Sequence, residues 1–252
     1  MLIDLNADMG ESFGAYKLGA DEEFMEYITS ANIACGFHAG DSSVMHKTVG
    51  YAKKFGVAVG AHPGLPDLQG FGRRQMALGP DEVYDDVLYQ VGAIDAFCRA
   101  NGLRLHHVKP HGSLYGMAHR MEETANAICQ AVNDFDQDLF LYIMKQGVIA
   151  PIAEKMGIKT VYEIFSDLSY DPQGNLVITR AHDAHDPQQV ADRVKMMLLE
   201  NKVEATDGSE IYIEGTTVCV HGDTPGAFEI VKSVRRTLEN AGLELASPSL
   251  KA

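Results

Sequence analysis

Short apolar segments of strand length alternate with longer amphipathic segments along most of the chain. Apolar runs such as 57–61, 139–144 and 217–220 lie next to segments with helical spacing, such as 42–55 and 80–100. Strands that are separated by helices pair in parallel through right-handed crossovers. The alternation therefore predicts an α/β fold, in which the sheet is either open and doubly wound or closed into a barrel. Seven such units favour a single-domain, seven-stranded parallel β/α barrel.

The composition is that of an acidic globular protein. The chain has 252 residues, of which 46% are hydrophobic, and no linker-like stretch divides it, so we expect 1–252 to form one domain. A formal net charge of −14 repels phosphate backbones and anionic lipids, so we expect neither nucleic acid nor a membrane as a partner. The four cysteines are far apart and lack zinc-ribbon spacing. We expect reduced, mostly buried thiols and a cytoplasmic protein.

Four apolar runs end in a histidine that lies within two residues of glycine or proline. The motifs are CGFHAGD, GAHPG, HVKPHG and VCVHGDTPG, and their histidines are His38, His62, His111 and His221. A single histidine at a strand end is usually a solvated loop residue, but a fourfold recurrence favours a functional role. Because the carboxyl ends of parallel strands meet on one face of such a fold, we expect these imidazoles to lie together and to contact a substrate.

The first and fourth strands place carboxylates, an amide and an amine near the same edge. Asp4, Asn6 and Asp8 alternate with apolar residues, so all three point to one side of the first strand. In HVKPHG, Lys109 shares a face with His111 at the point where a proline ends the strand. Asp8, Lys109 and His111 are therefore candidate catalytic residues, and Asp4 and Asn6 are candidate substrate-binding residues.

Five further charged residues lie where substrate-binding residues are expected. Asp167 ends the sixth strand and Asp223 follows the seventh. Asp41 is placed both to cap the following helix and to face a ligand. Arg73 and Arg74 lie in a long, glycine-rich loop, where they either bind an anionic substrate or pair with the many carboxylates of this acidic chain.

The expected cleft combines carboxylates, imidazoles and one amine, which can both donate and accept protons and so suit hydrolysis of an acyl or amide bond. No GxSxG motif is present and the cysteines are not at helix starts, so water is the expected nucleophile. Imidazoles and carboxylates also bind divalent ions, but neither HxH nor HExxH occurs, so the sequence does not predict a metal site. The nucleotide-binding motifs GxxxxGK[ST] and GxGxxG are missing as well, so any ATP chemistry requires a partner.

Five longer motifs occur in order along the chain: DLNADMGE, NIACGFHAGD, GAHPGLPDLQGFGRR, HVKPHGSLYG and CVHGDTPG. Together they resemble the LamB/YcsF family, which contains the A subunit of bacterial ATP-hydrolysing 5-oxoprolinase, over nearly the whole chain. The resemblance implies a seven-stranded β/α barrel of the polysaccharide deacetylase and glycoside hydrolase type. It also implies hydrolysis of 5-oxoproline, with ATP and water, to L-glutamate, ADP and phosphate, in a complex with B and C subunits.

The resemblance further implies which residues line the substrate site, namely Asp8, His38, His62, Lys109, His111, His221 and Asp223. In this interpretation Asp8 or His111 is the general base for water, and Lys109 stabilises an oxyanion or a phosphorylated intermediate. The two adjacent arginines hold the substrate carboxylate. ATP is expected to bind together with the partner subunits.

Departures from the family pattern leave the substrate open. Ala7 and Met9 differ from the DLNCDLGE motif, Leu168 is found where the family has an arginine, and AHDAHDP at 181–187 replaces a PGA(V/I)I segment. The substrate is therefore either 5-oxoproline or a related lactam or ring amide. Two other functions also stay open. One is a metal-dependent deacetylase of an N-acyl, sugar-like substrate, and the other is a non-catalytic subunit that binds a small molecule.

Overall fold

A closed barrel of seven parallel strands forms the centre of the computed structural model, which describes residues 2–177, 185–222 and 224–250. The strands of the described chain are β1 (Leu2–Met9), β2 (Ser30–Ala34), β3 (Ala58–His62), β4 (His107–Val108), β5 (Phe140–Ile143), β6 (Lys159–Phe165), β7 (Ser169–Tyr170), β8 (Leu176–Val177), β9 (Lys202–Glu204), β10 (Glu210–Tyr212), β11 (Thr217–Val220) and β12 (Glu244–Leu245). Strands β1 to β6 pair in chain order, and β11 closes the barrel between β6 and β1. The predicted seven-stranded parallel barrel is confirmed.

Helices connect most of the barrel strands and pack on the outside of the barrel. They are α1 (Asp21–Phe24), α2 (Ser42–Phe55), α3 (Pro80–Ala100), α4 (Gly112–Arg120), α5 (Glu122–Phe135), α6 (Ile149–Met156), α7 (Pro187–Glu200) and α8 (Ala227–Asn240). The helices α2, α3, α6 and α8 each contact the strand that they precede or follow. Their buried stripes, such as Val83, Val87, Val91 and Ile94 of α3, cover the apolar outer face of the sheet.

The interior of the barrel is polar, in contrast to the branched apolar filling that is usual for such barrels. On β1 the apolar residues Ile3 and Leu5 alternate with Asp4 and Asn6, and all four are buried. The amide of Asn6 donates a hydrogen bond of 3.0 Å to Oε1 of Glu163 on β6, a strand that is not adjacent to β1. The two side chains meet inside the barrel. The polar face that the alternation predicted for β1 is therefore the face that points into the barrel.

The segment around the fourth strand differs from the prediction. Only His107–Val108 form β4, although the strand was expected to continue to the proline of HVKPHG. The chain then turns directly into Gly112–Arg120, a helix that was not predicted. At Gly112 the φ angle is +49°, and a Cβ atom there would lie 2.8 Å from the carbonyl oxygen of Gly72. The turn after β4 therefore requires glycine, and it brings the loop before α3 close to the end of β4.

Two small hairpins lie outside the barrel. Strands β7 and β8 pair antiparallel, Ser169 with Val177 and Tyr170 with Leu176. Strands β9 and β10 form the second hairpin.

The four cysteines are free and buried, as expected. In the part of the chain that the structure describes, no helix has the length and apolar character needed to cross a membrane.

Candidate active site

A cavity opens at the carboxyl ends of the barrel strands, with about 460 Å³ of empty space when the part open to solvent is included. The cavity is lined by Asp8, His62, Arg73, Lys109, Pro110, His111, Gly112, Tyr115, Phe165, Leu168, Leu176 and His221. Residues from the first strand to the last strand of the barrel thus share one mouth, because parallel strands all end on the same face.

A buried lysine is at the floor of the cavity and is held by two carboxylates. The Nζ atom of Lys109 lies 2.9 Å from Oδ1 of Asp8, 3.0 Å from Oε1 of Glu163 and 3.0 Å from Sγ of Cys219. Burial lowers the pKa of Lys109, but the interactions with Asp8 and its other neighbours outweigh burial and hold the pKa well above its ordinary value. Lys109 is therefore a permanent positive charge below the cavity.

The Asp8 carboxylate faces the cavity in its ionised form. Its Oδ2 atom lies 3.3 Å from Nε2 of His62 and 3.8 Å from Nε2 of His221, while Oδ1 accepts a hydrogen bond of 2.9 Å from the amide of Asn32. Burial raises the pKa of Asp8, but the attraction of His62 and Lys109 outweighs it and holds the pKa well below its ordinary value.

His62 and His111 both lie in the cavity wall, and one ring nitrogen of each faces the other. The Nδ1 atom of His62 lies 2.7 Å from the carbonyl oxygen of Lys109, and Nε2 of His111 lies 2.8 Å from the carbonyl oxygen of Phe71. A carbonyl oxygen only accepts, so each of these nitrogens carries a hydrogen. The remaining nitrogens, Nε2 of His62 and Nδ1 of His111, are 3.0 Å apart. Burial also lowers the pKa of His111 well below its ordinary value, which favours the neutral ring.

His38 lies behind this pair and is completely buried. Its ring is stacked on His111 at a centroid distance of 3.7 Å, and its Nε2 atom is 3.5 Å from Oε1 of Glu11. Within the described residues neither ring nitrogen of His38 has a hydrogen-bond partner. A Cβ atom at Gly72 would lie 2.7 Å from both the His38 and His111 side chains, so the glycine-rich loop allows the two rings to stack.

His221 and Asp167 form an ion pair at the other side of the cavity. The Nδ1 atom of His221 donates to Oδ1 of Asp167 at 2.8 Å, and Thr224 donates to the second carboxylate oxygen at 2.8 Å. Burial lowers the pKa of His221, but Asp167 and Cys219 outweigh it and raise the pKa well above its ordinary value. The same contacts lower the pKa of Asp167, against its burial, to about 2. His221 is thus a protonated imidazolium beside the cavity, and Asp167 positions it from behind.

The two adjacent arginines separate in the structure. Arg73 lines the cavity, with its guanidinium 5.1 Å from the centre of the Phe71 ring. Arg74 points away and forms an ion pair with the buried carboxylate of Asp67, which also accepts from the amide of Gly70. We expected both arginines to bind substrate, but Arg74 holds its own loop together and does not line the cavity.

Three other expected substrate-binding residues lie away from the cavity. Asp4 is four residues before Asp8 on an extended strand, about 13 Å away at the opposite end of the barrel. Asn6 lies between them in the barrel interior, where it donates to Glu163. Asp41 caps α2 by accepting from the amides of residues 43 and 44, as predicted for a cap, and does not line the cavity.

Asp223 lies outside the described residues, as does most of the departure at 181–187. Several residues of this region were not singled out from the sequence. Glu163 is the one acidic residue in the otherwise apolar run VYEIF. A carboxylate in such a run was the feature of the sequence that could have identified it as a site residue. Glu11 ends the DLNADMGE motif, and Phe165 and Tyr115 line the cavity with nothing in their local pattern to separate them from core residues.

Comparison with known proteins identifies close relatives of this chain. It is 50% identical over 247 residues to a protein from Thermococcus onnurineus that is named as the A subunit of 5-oxoprolinase, with 97% of each chain covered. It is 51% identical to a protein of the same name from Thermus thermophilus, with 97% of this chain and 99% of the relative covered. The crystal structure of a lactam utilization protein from Thermus thermophilus superposes with a TM-score of 0.91 at 49% identity, covering 98% of this chain and 100% of that one.

A more distant structure shares the fold alone. It is a putative cellobiose-phosphate cleavage protein from Enterococcus faecalis, with a TM-score of 0.56 at 14% identity and coverage of 98% and 96%. A sequence profile described as the LamB/YcsF family matches residues 3–251, almost the entire chain. With the relatives above and the motifs that line the cavity, this match establishes that the chain is a member of the LamB/YcsF family.

Proposed function

We propose that this protein is the A subunit of an ATP-dependent 5-oxoprolinase and opens the lactam ring of 5-oxoproline to give L-glutamate. The observation that carries the proposal is the end-to-end match, at about half identity, to relatives that are named as the A subunit of 5-oxoprolinase. The cavity also supports it, since its mixture of charged and apolar walls suits a small anionic ring amide.

The two halves of the proposed substrate match different walls of the cavity. The carboxylate of 5-oxoproline is an anion, and Arg73 presents the guanidinium that can bind it through two hydrogen bonds. The ring methylene groups are apolar, and Phe165, Leu168 and Leu176 provide the apolar surface. Leu168, which is found where the family has an arginine, therefore contacts the ring and not the carboxylate in this proposal.

Ring opening requires a nucleophile, stabilisation of an oxyanion and a proton for the leaving nitrogen. Water adds to the lactam carbonyl carbon while the Asp8 carboxylate accepts its proton. The Lys109 ammonium stabilises the negative charge on the carbonyl oxygen or on the phosphoryl group that this oxygen carries. The carbon–nitrogen bond then breaks, and the nitrogen takes a proton from the imidazolium of His221, whose Nε2 lies 3.8 Å from Oδ2 of Asp8. Of the two bases that the sequence suggested, Asp8 is the better placed.

A five-membered lactam is a stabilised amide, so its carbonyl needs activation before water attacks. Transfer of the terminal phosphoryl group of ATP to the lactam oxygen releases ADP and provides that activation. When one water has added and the carbon–nitrogen bond has broken, the product is an acyl phosphate, from which a second water releases phosphate to give L-glutamate. This chain has neither of the two nucleotide-binding motifs considered above, so we assign ATP binding to the partner B and C subunits. Because the proposed reaction consumes ATP, we expect it to take place in the cytoplasm.

Reconstitution tests the proposal. The chain is mixed with its B and C partners, and glutamate and ADP release from 5-oxoproline are measured with each component omitted in turn. We expect both products only when all three subunits are present. The Lys109→Met variant is expected to abolish release, whereas Lys53→Met, which alters an exposed lysine of α2, leaves it unchanged. Equal product release with and without this chain would refute the proposal.

A further inference from the structure

The arrangement of His62 and His111 poses an electrostatic problem within the protein. Each ring donates one N–H to a backbone carbonyl, so in the neutral rings the two nitrogens that face each other both present lone pairs. These nitrogens, Nε2 of His62 and Nδ1 of His111, are only 3.0 Å apart, and Oδ2 of the ionised Asp8 lies 3.3 Å from Nε2 of His62. Two facing lone pairs at this distance repel each other unless a positive charge lies between or beside them.

Further ligand atoms converge on the same point. Oε1 of Glu11 lies 3.8 Å from Nδ1 of His111 and 3.5 Å from Nε2 of His38. The ligand atoms of Glu11, His38, His62 and His111 all lie within 4.8 Å of one another, and all four residues are buried. For a tetrahedral ion with bonds of about 2.0–2.1 Å, neighbouring ligand atoms are about 3.3 Å apart, close to the distances seen here.

His38 provides a separate indication of a ligand. Its ring is completely buried, yet neither nitrogen has a hydrogen-bond partner in the described parts of the chain. Burial of polar nitrogens without a partner is unfavourable, so a side chain in this position normally has a partner. Two glycines leave room for His38, because a Cβ atom at Gly64 would clash with its ring and one at Gly72 would clash with its Cβ atom.

We propose that Glu11, His38, His62 and His111 bind one divalent transition-metal ion, with Zn²⁺ as the best match. Three imidazoles and one carboxylate suit zinc and its neighbours in the first transition row, whereas Mg²⁺ and Ca²⁺ require oxygen ligands. The two backbone carbonyls that fix the tautomers of His62 and His111 orient them as ligands. The His38 ring is parallel to the His111 ring, so it turns toward the ion when the ion binds.

This inference goes beyond the proposed function and does not rest on it. His111 borders the cavity, so a bound ion lies beside the place where the lactam carbonyl reacts. An ion there polarises a carbonyl or lowers the pKa of a bound water. Metal binding by the isolated chain is measurable without substrate, ATP or partner subunits. The failure of either proposal therefore leaves the other intact.

Titration calorimetry and metal analysis of the isolated chain test the site directly. After treatment with a chelator and dialysis, we expect the protein to bind one Zn²⁺ per chain and to show little heat with Mg²⁺. Replacement of Zn²⁺ by Co²⁺ should give the intense visible absorption of a four-coordinate ion. The His62→Gln and His111→Gln variants should bind at least about 100-fold more weakly, and His38→Gln should lose less because its ring is not yet turned toward the ion.

A surface histidine provides the matched control. His46→Gln on α2 removes an exposed imidazole and should bind Zn²⁺ as the unaltered chain does. Circular dichroism shows whether each variant is folded, and Glu11→Gln, which preserves the shape of the side chain, serves if a histidine variant unfolds. Wild-type protein that binds no Zn²⁺ would overturn the proposal, since a proton alone would then separate the facing nitrogens. Binding that is unchanged in both His62→Gln and His111→Gln would overturn it equally.

Discussion

The two ends of the barrel interior are both polar, but they differ in how their polar groups are satisfied. At the amino end of β1, Asp4 accepts hydrogen bonds of 2.7 Å from Ser30 and 2.6 Å from Thr217, and Ser30 also contacts the hydroxyl of Tyr142 at 3.2 Å. Hydroxyl groups both donate and accept, so this network closes on itself. Such a network stabilises the barrel and needs no ligand.

At the carboxyl ends of the strands the polar groups do not satisfy one another in this way. Lys109 and His221 are charged, two imidazole nitrogens face each other, and His38 has no hydrogen-bond partner among the described residues. Burial alone therefore does not mark a functional residue in this barrel. The distinguishing property is a set of buried ion pairs beside the cavity, together with imidazole nitrogens that have no hydrogen-bond partner among the described residues.

The largest expected effect of a single change is at Lys109. Lys109→Met leaves the carboxylates of Asp8 and Glu163 buried without their shared counter-charge, so we expect a loss of about 3–5 kcal/mol in the free energy of unfolding. Activity of the reconstituted complex should fall by at least about 1,000-fold, because the oxyanion loses its stabilising charge. Urea unfolding and glutamate release measure the two effects.

The companion variant is Lys109→Met combined with Glu163→Gln. Removing one of the two negative charges should restore part of the lost stability but none of the activity. Equal stability of the single and double variants would show that Glu163 is not ionised beside the lysine.

A smaller effect on rate is expected at Asp167, through His221. Asp167 raises the pKa of His221, and the imidazolium must be protonated to donate to the leaving nitrogen. Asp8 and Cys219 also face this ring, and they remain in the variant. For Asp167→Asn we expect the rate at neutral pH to fall by about 100-fold and the loss of activity with rising pH to begin at a lower pH. A pH–rate profile of the reconstituted complex measures the shift.

The sign of this shift is fixed by the ion pair. A group whose pKa is raised by folding contributes stability below its unfolded pKa and loses it as the pH rises through the folded pKa. The unaltered protein should therefore lose the stability of this pair on the alkaline side, as His221 deprotonates, and again at acid pH, as Asp167 is protonated near its lowered pKa of about 2. Asp167→Asn should lack both losses. An alkaline limb that does not move in the variant contradicts the role of Asp167.

The two adjacent arginines give a third comparison. Arg73→Ala removes the guanidinium that lines the cavity. The KM for 5-oxoproline should therefore rise by about 10–100-fold, which corresponds to the loss of one hydrogen bond to a charged group. Arg74→Ala breaks the ion pair with Asp67 but leaves the cavity wall in place, so KM should change by less than about threefold. Steady-state kinetics at saturating ATP distinguish the two. A larger effect at Arg74 would show that our assignment of the two residues is reversed.

The smallest expected effect on activity is at the other end of the barrel. Asp4→Asn replaces an acceptor by a group whose amide faces hydroxyl donors, so the free energy of unfolding should fall by about 1–3 kcal/mol. The kcat/KM of the complex should stay within about twofold of the original at a temperature where the variant is folded. A loss of activity comparable to that of Lys109→Met would remove the distinction between the two ends.

The sequence predicted the barrel because its strand–helix alternation is regular, and the histidine motifs fall where strands end. It predicted which face of β1 each residue occupies but not how near that residue lies to the cavity. Residues two apart share a face, yet each residue moves about 3.3 Å further along the barrel axis. Asp4 was therefore grouped with Asp8 although they lie at opposite ends. The family membership, which is confirmed, was predicted from longer sequence motifs and not from the alternation of polar and apolar residues.

Other features depend on contacts that are distant in sequence. Helix α4 begins at a glycine with no side-chain cap, and its start depends on the close approach of Gly72, so no local pattern predicts it. Glu163 is important only because Lys109 of another strand is 3.0 Å away. The facing nitrogens of His62 and His111 depend on two backbone carbonyls, from Lys109 and Phe71, that the sequence cannot place.

The most direct test of the account is a crystal structure of this chain with 5-oxoproline bound. We predict that the ring occupies the cavity between Phe165 and Leu168, with its carbonyl oxygen within about 3 Å of Nζ of Lys109 and its carboxylate on Arg73. A ring bound away from Asp8, Lys109 and His221 would contradict the claim that the carboxyl end of the barrel is where the lactam is opened.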